Sequence, residues 1–202
     1  FLRVAEVAKK KKLKIQLHLH ETSQEIQDSL DEWGLRPLAR IENLGILNSS
    51  LQAIHLTQLN SHEIESLAKN EVHVGHCPES NMKLGSGICP ISDLLAKNVN
   101  VAIGTDSAAS NNDLDMLQEV RTASFLSKAV TNDATQIPAE VCLEMITLNG
   151  AKFLGLEHKI GSIEVGKLAD LTAIDMSSIA LKPVYNPVSQ LIYTCTSANI
   201  SN

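Results

Sequence analysis

The sequence predicts an α/β fold built on a parallel sheet, and three observations carry that prediction. Short runs rich in Ile, Val and Leu recur at 13–19, 51–57, 71–77 and 98–105. Helical patterns separate them, and a strand–helix–strand series forms a parallel sheet through right-handed crossovers. The runs are apolar along much of their length, as suits strands covered on both faces. At 202 residues the chain suits one domain, or one domain with part of another. It is 44% hydrophobic but only 3% aromatic, so the core must rely on Leu, Ile, Val and Ala.

The elements follow in order. "FLRVAEVAKK" reads as an amphipathic helix, and the lysines of "KKKKLK" (9–14) oppose the negative end of its dipole. The chain opens in mid-helix, without an initiator Met or an N-cap before Phe1, and reads as a piece of a longer protein. "LKIQLHL" is the first strand. "SQEIQDSLDEWG" follows with Ile26, Leu30 and Trp33 at helical spacing and Gly34 as a stop. After the second strand, "NSHEIESLAKN" offers Asn60 or Ser61 as N-cap and turns Ile64, Leu67 and Ala68 inward. "CPISDLLAKN" repeats the pattern after Pro90, ahead of the fourth strand. Beyond Asp106 the alternation stops. "NNDLDMLQEVRTASFLSKAV" reads as a long helix, and another starts at Pro138. In "KIGSIEVGKLADLTAID", Gly161 and Gly166 mark turns and "LADLTAI" alternates as a strand. Residues 1–157 are therefore expected to form an α/β body and 158–202 a β element packed on it.

Several classes are disfavoured. A net charge of −6 argues against nucleic-acid binding, which needs clustered cations along a phosphate track. No stretch approaches the roughly 20 apolar residues that span a bilayer. Cys77, Cys89, Cys142 and Cys195 are scattered and form no CxxC pair, so free thiols in a reducing cytoplasm are expected. The absence of CxxC also excludes the zinc site of cytidine-type deaminases, and no GK[ST] follows Gly85 or Gly87 to make a phosphate loop.

Parallel strands gather their C-terminal ends at one edge, where ligands bind in barrels and open sheets alike. Here those ends carry His18 and Glu21, then His55, His76 and Asp106. These types suit metal-assisted hydrolysis: a bound cation lowers the pKa of water to about 7, imidazoles and carboxylates hold it, and an acid protonates the leaving group. The plainer reading is also open, with packed histidines and Asp106 as a cap. Spacing alone leaves open whether His18 pairs with His20 or with Glu21.

"HLHET", "IHLTQL", "HCPESNMKLGSG", "GTDSAASNNDLDMLQEVR" and "IGSIEVGKLADL" resemble the second half of a metal-dependent deaminase of the amidohydrolase superfamily. The likeness is greatest to the 5-methylthioadenosine/S-adenosylhomocysteine deaminases and runs from about Leu13 to Asp175. The resemblance implies the C-terminal half of a (β/α)8 TIM barrel, strands five to eight, with part of a composite β-sandwich. It implies His18 as a metal ligand, Glu21 as the proton-shuttling glutamate and His55 beside the attacking water. Asp106 would bind the metal and take a proton, while Ser80 and Asn81, in a pocket-lining loop, and Glu21 would meet substrate. His20 becomes structural; His76 matches no direct role, and is read as supporting the residues around the site or anchoring the loop that follows it.

The resemblance further implies one divalent ion, Zn2+ first with Fe2+ or Mn2+ as alternatives. It implies a nucleoside substrate, cytoplasmic residence and a homo-oligomeric full-length form. Strands one to four of the family pattern are absent, so the chain alone is expected to bind metal weakly and turn over little. Two alternatives stand beside this reading: another amidohydrolase, of guanine deaminase or triazine chlorohydrolase type, and a non-catalytic scaffold fragment.

Overall fold

The computed structural model describes residues 1–201. Helix α1 (Leu2–Lys11) leads into strand β1 (Ile15–Leu19), then α2 (Ser23–Trp33), α3 (Pro37–Asn43) and β2 (Leu51–His55). Next come α4 (Ser61–Lys69), β3 (His73–His76), α5 (Pro78–Leu84), α6 (Ile91–Ala96) and β4 (Val101–Ile103). Helices α7 (Ala108–Asn111), α8 (Met116–Thr131), α9 (Ala139–Ile146) and α10 (Leu148–Leu154) follow. The last elements are β5 (Ala173–Ile174), α11 (Pro187–Thr194) and β6 (Ile200–Ser201), with two 3-10 turns among them.

Strands β1 to β4 pair in chain order, all parallel, as the alternation predicts. Register sorts their side chains into two faces, because neighbours in register point the same way. Leu17, Ala53, Val74 and Val101 share one face. Helices cover it, and the main core forms there with Leu67 of α4, Leu94 of α6 and Met145 of α9. His18, Ile54, Gly75 and Ala102 share the other face. There Ile54 and Ala102 join Phe153 of α10 and Cys77 in a small second cluster. Strand β2 is buried throughout, whereas β1, paired on one side only, exposes Gln16 and His18. The four cysteines are free and buried.

Gly75 is required by this packing. A Cβ there would sit 2.6 Å from Ile54 Cδ1 and 3.3 Å from Phe153 Cε2. Gly75→Ala is expected to lower stability by about 1–3 kcal/mol, the usual cost of overpacking. Urea unfolding midpoints measure it, and an unchanged midpoint would show that Ile54 swings aside freely.

Local signals placed several elements. Asn60 caps α4 and Glu63 closes the capping box, while Gly34 ends α2 at φ 68°. Elsewhere the structure differs from expectation. Leu30 and Trp33 stay exposed, and the Arg40 guanidinium lies 4.1 Å above the Trp33 ring. Of α1, only Ala8 is buried. The expected long helix after Asn111 begins at Met116, because the Asp115 carboxylate accepts the Leu117 and Gln118 N–H groups and caps it there. Pro138 is the N-cap of α9 rather than its first residue. The "PESNMKL" segment, read as a loop, is helix α5.

The expected strand at 168–174 shrinks to β5, because only Ala173 and Ile174 find a partner, in antiparallel β6. Leu168 and Leu171 remain exposed. Helix α11 packs on α8 and α9, where Arg121 Nε donates to the Ile192 carbonyl at 2.9 Å.

Candidate metal centre

Strand β1 ends at Leu19, and the next residue decides which side chains reach the site. Strict alternation would put His18 and His20 on one face. Instead His20 takes a left-handed backbone, φ 52°, and its ring turns toward the helices. There its Nε2 accepts the Leu38 N–H at 3.0 Å, and Nδ1 lies 3.7 Å from Glu63 Oε2. Glu63 is itself bound by Arg36 Nε at 2.6 Å. Burial lowers the His20 pKa to about 4, so the ring is neutral. His20 is a core histidine.

The same turn directs Glu21 toward the site. Thr22 caps α2 by accepting the Glu25 N–H at 3.1 Å. The Glu25 carboxylate reaches back to accept the His20 N–H at 3.0 Å and the Glu21 N–H at 2.6 Å. Thr57 Oγ1 donates to the Glu21 carbonyl at 2.6 Å. The backbone beneath Glu21 is thus held from both sides. Glu25 was not singled out from the sequence, although its T-x-x-E spacing from Thr22 was a readable signal.

His55 repeats the device. Register pairs it with Leu19, on the helix-covered face, but φ is 76° at His55 and 52° at Leu56. Two consecutive non-glycine residues in this region are costly and cluster at functional sites. The His55 ring meets the His18 ring edge-on, centroids 4.7 Å apart. Its Nε2 lies 3.7 Å from Glu21 Oε2, and its Nδ1 lies 2.9 Å from Asn81 Nδ2. His55 is fully buried, and Nε2 has no hydrogen-bond partner. Burial depresses its pKa, with nearby His18 adding to the effect and Glu21 opposing it.

Each of His18, Glu21 and His55 can present a ligand atom within 4.8 Å of the other two. Asp106, expected to share an ion with His18, lies outside this trio. It too has a left-handed backbone, φ 60°, and its Oδ2 accepts Ser80 Oγ at 2.7 Å and Ser110 Oγ at 2.9 Å. Burial alone would raise the Asp106 pKa, but the Ser80 and Ser110 hydroxyls and the Ser107 backbone outweigh it and hold the group ionised.

Helix α5 supplies Ser80 and Asn81. Pro78 opens it and Gly85, at φ 67°, closes it, two signals that would have predicted a helix. Ser80 and Asn81 are buried, and their side chains engage Asp106 and His55 respectively. Ser110 and Glu119 were not foreseen. Glu119, fully buried on α8, accepts the Glu79 N–H at 3.3 Å and the Asn111 amide. It therefore ties together the two segments that bring Ser80 and Ser110 to Asp106. Burial raises its pKa to about 8. His76 pairs in register with Ile103, is fully enclosed, and leaves Nδ1 without a partner. That nitrogen makes none of the expected loop-anchoring bonds.

The model of the amidohydrolase family matches residues 1–200. The chain belongs to the amidohydrolase family. This amidohydrolase is 48% identical over 200 residues to a 5-methylthioadenosine/S-adenosylhomocysteine deaminase of Teredinibacter turnerae, covering 99% of the chain and 45% of that protein. It is similar in structure to an adenosine deaminase from Xanthomonas campestris with bound zinc, at TM-score 0.97 and 50% identity, covering 98% of the chain and 45% of that one. A zinc-complexed atrazine chlorohydrolase from Arthrobacter aurescens matches at TM-score 0.91 and 24% identity, over 98% of this chain and 44% of that one, which shows a shared fold. The amidohydrolase chain spans less than half the length of these relatives. Among its described residues, no helix is long and apolar enough to cross a membrane.

Proposed function

We propose that the protein containing this chain deaminates the adenine ring of a nucleoside thioether by metal-dependent hydrolysis, converting 5'-methylthioadenosine or S-adenosylhomocysteine to its inosine analogue and ammonia. The carrying observation is the convergence of His18, Glu21 and His55, with a buried His55 Nε2 that no protein group satisfies. The substrate class follows relatives named for it, at 40–48% identity over 93–100% of the chain in the first seven. In this reading β1 to β4 are strands five to eight of a (β/α)8 barrel. Residues 158–202 are part of a composite sandwich completed by chain outside this sequence. A cytoplasmic homo-oligomer belongs to the same proposal.

The donor set fits a borderline divalent ion, being imidazole and carboxylate without thiolate. His18 would hold it beside Glu21 and His55, and the family resemblance adds Asp106, which stands outside that trio; zinc is favoured over Fe2+ or Mn2+. When bound, such an ion makes water a usable nucleophile near neutral pH. Asp106, kept ionised by two hydroxyls, accepts a proton from the attacking water. Glu21 delivers a proton to the ring nitrogen as C6 becomes tetrahedral. His55 donates to the oxygen that develops on C6; the amine takes the proton held by Asp106 and leaves as ammonia, and the C6 hydroxyl returns a proton to Glu21.

The test is ammonia release by the full-length protein from 5'-methylthioadenosine, S-adenosylhomocysteine, adenosine, guanine and a chlorotriazine, together with metal analysis. Turnover of the adenine nucleosides with about one metal per chain is expected. Turnover confined to guanine or the triazine would move the assignment to another amidohydrolase, and a metal-free, inert protein would mark a scaffold.

A further inference from the structure

We propose that Asn81 is a positioning residue that holds His55 as its Nε2–H tautomer, rather than a group that binds substrate. The inference rests on the role given to His55 above and states how the fold prepares that ring for it.

A neutral imidazole has one donor and one acceptor nitrogen, and the partner at one nitrogen selects the tautomer at the other. Both neighbours of His55 select the same one. At Nδ1 stands the Asn81 amide, its nitrogen 2.9 Å away and its Oδ1 buried without a partner; in this orientation the nitrogen donates and Nδ1 accepts. On the other side stands Glu21, with Oε2 3.7 Å from Nε2; as a carboxylate, the form it takes once its proton has been delivered, it favours a proton on that nitrogen. His55 is left with an N–H at Nε2, unspent on any hydrogen bond and adjacent to His18.

Asn81 is placed for this task. It is 1% exposed, on a helix whose two ends are fixed by Pro78 and Gly85. Its neighbour Ser80 serves Asp106 in the same way, so one short helix addresses two of the reacting groups. The opposite amide orientation would demand Nδ1–H and present a bare Nε2 lone pair. That state is the competing outcome, and a carboxylate at position 81 would impose it.

The readout is the 15N spectrum of histidine-labelled full-length protein stripped of metal, with His55 assigned by His55→Gln. Nε2–H is expected in the wild type, and Nδ1–H there overturns the proposal without recourse to any variant. Asn81→Asp, nearly isosteric, is expected to shift the proton to Nδ1. It should also lower kcat at least about tenfold with KM changed less than about twofold, since a wrong tautomer removes acid–base assistance while leaving binding intact. A raised KM at unchanged kcat would instead make Asn81 a substrate contact and overturn the positioning role. If His55→Gln kept wild-type kcat, the catalytic role of His55 would fall, whereas the tautomer would still be decided by the spectrum.

Discussion

Replacing Asp106 by asparagine is expected to lower kcat of the full-length protein at least about a hundredfold, while stability changes by less than about 1 kcal/mol. The two halves of this expectation have different origins. Asp106 Oδ2 accepts from Ser80 and Ser110, and both donors are hydroxyls that can rotate to meet an amide. The fold around residue 106 therefore keeps its bonds. The chemistry does not, because an amide can neither carry the negative charge nor take a proton from water. A charge set at a developing transition state is typically worth roughly 3 kcal/mol, hence the hundredfold. Steady-state kinetics and a thermal melt on the same preparation measure both. Near-normal turnover by Asp106→Asn would remove this residue from the mechanism.

Acid is expected to destabilise the protein well before its carboxylates titrate. His20 and His76 are buried as neutral rings, with pKa values lowered from 6.5 to about 4 and about 3, burial being the main cause. The unfolded chain protonates both near 6.5, while the folded chain resists. Their stabilising contribution is therefore complete above pH 6.5 and is lost progressively as pH falls from there toward the folded values of about 4 and about 3. Glu119 acts in the opposite sense. Its folded pKa, raised to about 8, makes the folded state hold a proton that the unfolded state has released above 4.5.

Between pH 4.5 and 6.5 these three groups leave a net excess of one proton on the unfolded state, two from the histidines less one from Glu119. One proton corresponds to ~1.4 kcal/mol per pH unit, or about 3 kcal/mol over that window, a large share of the 5–15 kcal/mol of a typical domain. Urea midpoints that fall from pH 6.5 to pH 4.5 are expected. His20→Gln, which retains an acceptor for the Leu38 N–H, should flatten the slope by about one proton. Glu119→Gln should steepen it and raise stability at pH 7–8. Midpoints flat across the window would mean that the fold tolerates charged rings at 20 and 76.

Much of the fold was legible because its signals are local. The four aliphatic runs became β1 to β4, Asn60 and Glu63 form their box, and Gly34 ends α2. Pro78 and Gly85 bracket α5 by signals of the same local kind. The exposure of Leu30 and Trp33 was of another kind, since helical spacing says which residues share a face and not whether anything covers it. The strand at 168–174 failed for a similar reason: alternation marks strand propensity, but a strand exists only where a neighbour supplies hydrogen bonds.

The sequence by itself determined a parallel sheet with histidines and carboxylates gathered at the ends of its strands, because strand patterns and residue types are properties of neighbouring positions. Only the tertiary structure decided which of those side chains meet. Left-handed turns at His20, His55 and Asp106 override alternation, sending His20 to Leu38 and Glu63 and bringing His55 against His18. Such turns are strained, and what holds them is contact between residues far apart in the chain: Thr57 on the Glu21 carbonyl, Asn81 on His55, Ser80 on Asp106.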